Sequence, residues 1–125
     1  MKIEINDYWE LMALHKSLMA TKFDPDAYYR ELQGSPYTAS LAFKIFDLLV
    51  ESSDNEEISA YNHDWLEWQQ ADKSREETKL LIKRIEEEND WWSKADKATR
   101  IKYVKDFMAP LILDTEIQND IVENC

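Results

Sequence analysis

The sequence predicts an all-α protein, a compact single-domain bundle of six to seven helices with short connections. The chain has one glycine and three prolines in 125 residues, which leaves little material for the tight turns of β-hairpins. Capping residues recur ahead of apolar residues at helical spacing. With 44% hydrophobic and 33% charged residues, the composition is that of a globular chain. We therefore expect one helical domain over residues 1–125, large enough to form a core without a disulfide or a metal.

Each predicted helix starts at a residue whose short polar side chain can accept a hydrogen bond from the first turn. These starts are Asp7, Asp24, Ser35, Asp54, Ser74, Ser93 and Asp114. The first helix is expected at about 7–21, and the second, a short one, should end at Gly34 in a left-handed cap. The third helix, from Ser35 to about Glu51, is apolar nearly all round, so we expect it to be the most buried.

Five tryptophans are more than a chain of this size usually carries, and tryptophan serves both as core filler and as interface anchor. Trp65 and Trp68 continue the apolar spacing of the predicted fourth helix, which indicates a core position. Trp91 and Trp92 are adjacent and precede the sixth helix, so both cannot face the same interior. We predict that this pair supplies an exposed anchor for a partner.

The net charge of −11 is unevenly placed, with net −9 on residues 1–72 and net −2 on residues 73–125. An acidic surface is repelled by phosphate backbones and by anionic lipid, so we expect no direct binding to nucleic acid or membrane. A basic protein partner is favoured instead, although solubility alone also explains acidity. A single cysteine, Cys125, and an opening without a signal pattern suit the cytoplasm.

One acidic segment is the main candidate for function. From Ile45 to Asp72 the chain runs 28 residues without Lys or Arg. Its eight acids are Asp47, Glu51, Asp54, Glu56, Glu57, Asp64, Glu67 and Asp72. We predict that all of them except Asp47 bind a partner. Along a helix they would give one charge per ~5 Å, against one per ~1.7 Å on duplex DNA. A nucleic-acid mimic would therefore need further acids folded onto the same side.

Two other classes of function are open. His63, Asp64, Glu67 and the tryptophans could line a pocket that binds a small molecule or a metal. Alternatively, His63 and Glu67, four residues apart on one helix face, form a surface pair. The chain has only two histidines, whereas a metal site needs three or more protein ligands, so no metal or cofactor is predicted. No glycine-rich phosphate loop or nucleophile motif is present either. In the other class, Trp91, Trp92 and the apolar stretch Leu111–Leu113 would form a homo-oligomeric seam.

The leading hypothesis is a non-enzymatic interaction protein that docks on a basic partner. Charge would set the association rate, and an exposed aromatic side chain would add affinity. Inhibitors, immunity proteins and nucleic-acid mimics are small acidic proteins of this kind, and their targets include nucleic-acid-binding proteins. This analogy rests on charge and size alone.

Overall fold

Helices dominate the chain because most segments combine a good cap with apolar side chains at helical spacing. The computed structural model describes residues 1–53 and 64–125. Within these ranges seven α-helices form, which confirms the all-α prediction. They are α1 (Tyr8–Lys22), α2 (Pro36–Ser52), α3 (Trp65–Gln69), α4 (Glu76–Glu87), α5 (Asn89–Lys94), α6 (Lys97–Met108) and α7 (Thr115–Asn124). A 3₁₀ turn occupies Arg30–Leu32.

Two short strands join distant parts of the chain. Strand β1 (Gln70–Ala71) pairs in parallel with β2 (Ile112–Leu113), with Gln70 opposite Ile112. The side chain of Gln69 also donates a 2.9 Å hydrogen bond to the carbonyl of Pro110. The apolar run around Ile112, which lacks helical spacing in the sequence, thus becomes an extended segment next to the end of α3.

Three predicted helix starts are confirmed by their cap geometry. The Asp7 carboxylate accepts from the Glu10 amide at 2.8 Å, the Ser35 hydroxyl accepts from the amides of Tyr37 and Thr38, and the Asp114 carboxylate accepts from the Glu116 amide at 2.8 Å. Each cap satisfies amide groups that the first helical turn leaves without an intrahelical acceptor.

Other predicted starts are wrong or shifted. Asp24 begins no α-helix, because its carboxylate accepts from the Asp26 amide at 2.9 Å and closes a local turn. Ser74 is itself held by Asp72, and α4 begins two residues later at Glu76. Ser93 lies inside α5, and Asp96 caps α6 instead. The start predicted at Asp54 lies outside the described residues.

Gly34 does not end a helix in a left-handed cap, since no glycine has a positive φ. Gly34 instead allows its backbone to lie close to the side chain of Tyr103. A Cβ built on Gly34 would lie 2.9 Å from Cε2 of Tyr103, so a glycine lets the segment before α2 pack directly on α6.

Helix α2 is less buried than predicted. It buries one face, with Ala39, Ala42, Ile45, Phe46 and Leu49 in the core, and leaves Leu41, Phe43 and Leu48 exposed. An apolar residue on every side of a helix does not specify which side the remaining helices cover.

The core has two main clusters that share Trp68 at their border. One lies among α4, α5, α6 and α7 and contains Leu81, Trp92 and Phe107. The other lies among α1, α2 and α3 and contains Leu11, Phe46, Leu49 and Trp65. The prediction that Trp65 is a core residue is therefore confirmed.

A buried polar network holds the segment between α1 and α2. Lys22, Gln33 and Arg84 are all nearly inaccessible to solvent. Lys22 Nζ donates to the carbonyl of Gln33 at 3.1 Å, and Arg84 Nε donates to Oε1 of Gln33 at 3.2 Å. Gln33 Nε2 and Arg84 Nη2 donate in turn to carbonyls at the start of this segment, Asp24 at 2.8 Å and Pro25 at 2.9 Å. The network supplies hydrogen-bond donors to backbone carbonyls in the segment between α1 and α2, whose only helical part is a short 3₁₀ turn.

Candidate functional site

The acidic surface lies on the first three helices. We define it by the exposed carboxylates of Glu10 on α1, Asp47 and Glu51 on α2, and Asp64 and Glu67 at α3. The amino-terminal end of α1 meets the carboxyl-terminal end of α2, because Asp7 and Tyr8 line the same groove as Leu48 and Ser52. Helix α3 packs against both through Trp65. Glu51 of α2 therefore lies on a helix that packs against α3, where Asp64 and Glu67 are located.

The remaining predicted acids do not all join this surface. Asp54, Glu56 and Glu57 lie outside the described residues. Asp72 is exposed, but its carboxylate accepts from the Ser74 hydroxyl at 2.6 Å and from the Ser74 amide at 2.9 Å, and these bonds lower its pKa. Its neighbour Lys73 forms an ion pair with Asp120 of α7. Asp72 thus lies in the connection between β1 and α4, and its predicted role in partner binding stays a prediction.

Among the described residues, the acids that form ion pairs all come from the carboxyl-terminal half. Seven ion pairs join described residues, and every acid in them comes from α4, α6 or α7. Their acids are Glu76, Glu77, Glu87, Asp106, Asp120 and Glu123. Within residues 1–53 and 64–125, no carboxylate of the acidic surface lies within 4.0 Å of a lysine or arginine nitrogen. The carboxylates of the acidic surface thus form no direct ion pair with any described residue, although Lys16 and Lys44 lie on the same helices.

A cleft of about 420 Å³ opens on the other side of α2, between Phe43 and the segment from Val104 to Leu113. Ile112 is its exposed strand residue, whereas Leu111 and Leu113 are buried. The predicted oligomeric seam at Leu111–Leu113 is therefore reduced to Ile112, because the other two side chains fill the core.

A second cleft, of about 400 Å³, lies beside the acidic surface and is aromatic. Its lining residues are Met12, His15, Lys16, Asp64, Trp65 and Trp68. The His15 ring is centred 5.3 Å from the Trp65 ring and 5.2 Å from the Trp68 ring, both edge-on. Burial, with a smaller effect from Lys16, lowers the pKa of His15. Its Nδ1 has no hydrogen-bond partner among the described residues. The cleft is therefore lined by an imidazole whose Nδ1 is buried and lacks a hydrogen-bond partner among the described residues.

The pocket predicted near His63, Asp64, Glu67 and the tryptophans lies only partly within the described residues. His63 itself lies outside the described residues, whereas Asp64 lines the cleft and Glu67 lies one turn further along α3. Within the described ranges, no group of three or more His, Cys, Asp or Glu side chains could hold a metal ion. The sequence shows His15 only as a polar residue among the leucines of α1, so its contact with two tryptophans becomes visible only after folding.

Trp91 and Trp92 have different environments. Both lie on α5 rather than in a connection. Trp92 is 1% exposed and its Nε1 donates a 3.0 Å hydrogen bond to the carbonyl of Cys125. Trp91 is 44% exposed and packs one edge on Tyr103. Trp92 is a core residue, so its predicted role in partner binding is wrong, and Trp91 is the exposed member of the pair.

No protein-family model matches this chain, and comparisons with curated proteins and with solved structures found no similar protein. Fold and site thus define it only as an all-α protein with an acidic surface on α1–α3. No helix within the described residues has the length and apolar character needed to cross a membrane.

Proposed function

We propose that this protein is a non-enzymatic interaction protein that docks on a basic partner protein through the acidic surface of α1–α3. The observation that supports the proposal is the division between paired and unpaired acids. Six of the eight acids on α4, α6 and α7 have lysine or arginine partners, while Glu10, Asp47, Glu51, Asp64 and Glu67 have none among the described residues. A patch of carboxylates without direct ion pairs accelerates encounter with a positively charged surface.

The chemistry of the partner follows from the same charges. A surface rich in Lys and Arg would pair with carboxylates that are already exposed, so no internal ion pair has to break first. Nucleic-acid-binding proteins carry such surfaces, which makes them the partner class we favour. An inhibitor, an immunity protein or a nucleic-acid mimic would act in this way. The exposed free thiol of Cys125 suits the reducing cytoplasm, where we propose that the protein acts.

A charge-matched pair of variants tests this proposal. One variant carries Asp47→Asn, Glu51→Gln and Glu67→Gln, and the control carries Glu76→Gln, Asp106→Asn and Glu123→Gln from the paired half. Both lose the same number of charges. Tagged proteins would capture partners from a lysate at low salt and at about 0.5 M salt, where the Debye length is only a few ångströms.

We expect the wild type and the control variant to retain the same basic partner at low salt. The first variant should lose it, and high salt should weaken capture by all three proteins. Equal retention by both variants, or capture indifferent to salt, would remove the docking proposal and leave solubility as the explanation of the charge.

The aromatic cleft supports a second candidate function, the binding of a small molecule. The observation that favours it is the buried His15 ring with an unpartnered Nδ1 between Trp65 and Trp68. A planar aromatic molecule in the cleft would pack against the rings of Trp65, Trp68 and His15. An NMR titration with small heteroaromatic compounds checks this. Shifts of the indole signals of Trp65 and Trp68 that disappear in His15→Phe would support binding, and no shift at millimolar concentration would count against it.

A further inference from the structure

The two longest helices leave an apolar stripe on their outer side. Leu41 and Leu48 of α2 are 52% and 41% exposed, and Leu14 of α1 is 41% exposed. Leu41 and Leu48 are seven residues apart, so they lie on one line two turns apart along α2. Tyr37 continues that line one turn earlier and is also exposed. We call Leu14, Leu41 and Leu48 the leucine stripe.

The stripe follows the furrow between α1 and α2. At one end of the furrow Leu11 and Tyr8 share a groove of about 270 Å³ with Leu48 and Ser52. At the other end Leu18 packs against the cluster that contains Ala39 and Ala42. The helices are therefore antiparallel. Leu14 lies one turn after Leu11 and one turn before Leu18, so it borders the same furrow as the two leucines of α2.

Acidic side chains flank this furrow. Glu10 lies one turn before Leu14, and Glu51 lies one turn after Leu48. The charged residues nearest the stripe, at the rim of the furrow, are Asp7, Glu10 and Glu51, with Lys44 as a cation between Leu41 and Leu48, whereas Asp47 lies about 100° around α2 from Leu48. The carboxylates of the rim form no ion pair with any residue in the described ranges. The furrow thus combines an exposed apolar floor with a negative edge.

We propose that this furrow binds an amphipathic helix of the basic partner, with apolar side chains on the leucine stripe and Lys or Arg side chains at the rim. This inference rests on the proposed function for the charge of the partner. A furrow between two antiparallel helices is completed by a third helix in helical bundles. The i, i+7 spacing of Leu41 and Leu48 also matches the anchors by which helices are recognised in grooves. A second copy is a poorer occupant, because it would bring like charges to the same rim.

Two labelled peptides of identical composition test the furrow against the full-length protein. Each is about 18 residues long, which is five helical turns, and contains only leucine and lysine. One places its leucines on a single helical face, and the other scatters them. Fluorescence anisotropy at low salt gives both dissociation constants. We expect the amphipathic peptide to bind at least about tenfold more tightly, since only it can place leucines on the stripe and lysines at the rim.

Variants locate the binding site. Leu41→Ser and Leu48→Ser should each raise the dissociation constant of the amphipathic peptide at least about fivefold. This is the usual effect of truncating an anchor residue. Ile112→Ser, from an equally exposed position on β2, is the matched control and should change nothing. Circular dichroism checks that all three variants remain folded.

The possible results separate the two proposals. In one outcome both peptides bind equally, the leucine variants have no effect, and the variant at Asp47, Glu51 and Glu67 still weakens binding. That outcome overturns the furrow as a helix-binding site and leaves docking through the acidic surface standing. If neither peptide binds at low salt, both proposals fall. If the wild type doubles its mass with concentration and Leu41→Ser does not, the occupant is a second copy, which also overturns the basic helix.

Discussion

Lys22 Nζ donates a 2.8 Å hydrogen bond to the carbonyl of Asp106, which joins the end of α1 to α6 across 84 residues of sequence. The lysine side chain is completely buried, and its second bond goes to the carbonyl of Gln33. Both acceptors are neutral backbone groups, which compensate a buried ammonium only in part. Burial therefore lowers the pKa of Lys22 to about 8, against a smaller opposing effect of the Asp106 carboxylate.

This shift predicts that stability rises with pH in a defined window. Between pH 8 and about 10.5 the unfolded chain holds a proton on Lys22 that the folded chain has released, so the free energy of unfolding increases with pH. The destabilising contribution is complete below pH 8 and is lost as pH rises to 10.5. Its size is roughly 3 kcal/mol, at 1.36 kcal/mol per pKa unit.

Urea unfolding of the wild type and of Lys22→Met at a series of pH values measures this effect. The difference between the two free energies removes the contribution of tyrosines such as Tyr103, whose pKa burial raises to about 12. We expect the difference to change by roughly 3 kcal/mol across the window in favour of the wild type. A difference independent of pH would mean that Lys22 titrates as an exposed lysine does.

The adjacent residues Trp91 and Trp92 should contribute very different amounts to the free energy of unfolding. Trp92→Ala removes a fully buried ring and the hydrogen bond to Cys125, so we expect a loss of ~3–5 kcal/mol. Trp91→Ala removes a half-exposed ring and should cost less than ~1 kcal/mol. Urea unfolding of the two variants side by side checks the contrast. Equal losses would contradict the assignment of Trp91 to the surface.

Local features of the fold could be predicted from the sequence because they depend on neighbouring residues. Asp7, Ser35 and Asp114 bond amides two or three residues ahead, which a short sequence pattern contains. The adjacency of Trp91 and Trp92 likewise predicted that only one could be buried, since successive side chains on a helix diverge by about 100°. Which of the two it is depends on where Tyr103 and α7 lie.

Non-local features could not be predicted from the sequence. The pairing of β1 with β2 joins residues about 40 positions apart, and no local pattern specifies that partner. Buried Lys22 and Arg84 are read as surface residues from their type, because such side chains are rarely inside unless paired. Part of the pairing of acids is non-local too. Lys73 and Asp120 are 47 residues apart, so the sequence could count acids but not identify which ones remain unpaired.

Gly34 and Tyr103 should be energetically coupled. Because Gly34 has ordinary φ, Gly34→Ala creates no backbone strain, and its added methyl instead meets the Tyr103 ring at 2.9 Å. That ring packs on Trp91 and Phe107 and cannot easily move away. We expect a loss of ~1–3 kcal/mol from overpacking.

A double-mutant cycle isolates that contact. In a Tyr103→Ala background, Gly34→Ala should be neutral or slightly stabilising, because the new methyl group meets open space and alanine restricts the unfolded chain. If Gly34→Ala costs the same in both backgrounds, its effect arises elsewhere and the close approach of the two residues carries no energetic weight.

The segment from Asp24 to Gln33 should owe its order to Arg84. Arg84→Met leaves Oε1 of Gln33 and the carbonyl of Pro25 without their donors, at a cost of about 1–3 kcal/mol for each group that stays buried. Arg30→Met is the control, because Arg30 also pairs with Glu87 but is half exposed, so its loss should cost less than ~1 kcal/mol. Amide hydrogen exchange in this segment should accelerate in Arg84→Met and remain unchanged in Arg30→Met. Equal exchange in both variants would show that the backbone of this segment, rather than the buried guanidinium, maintains its shape.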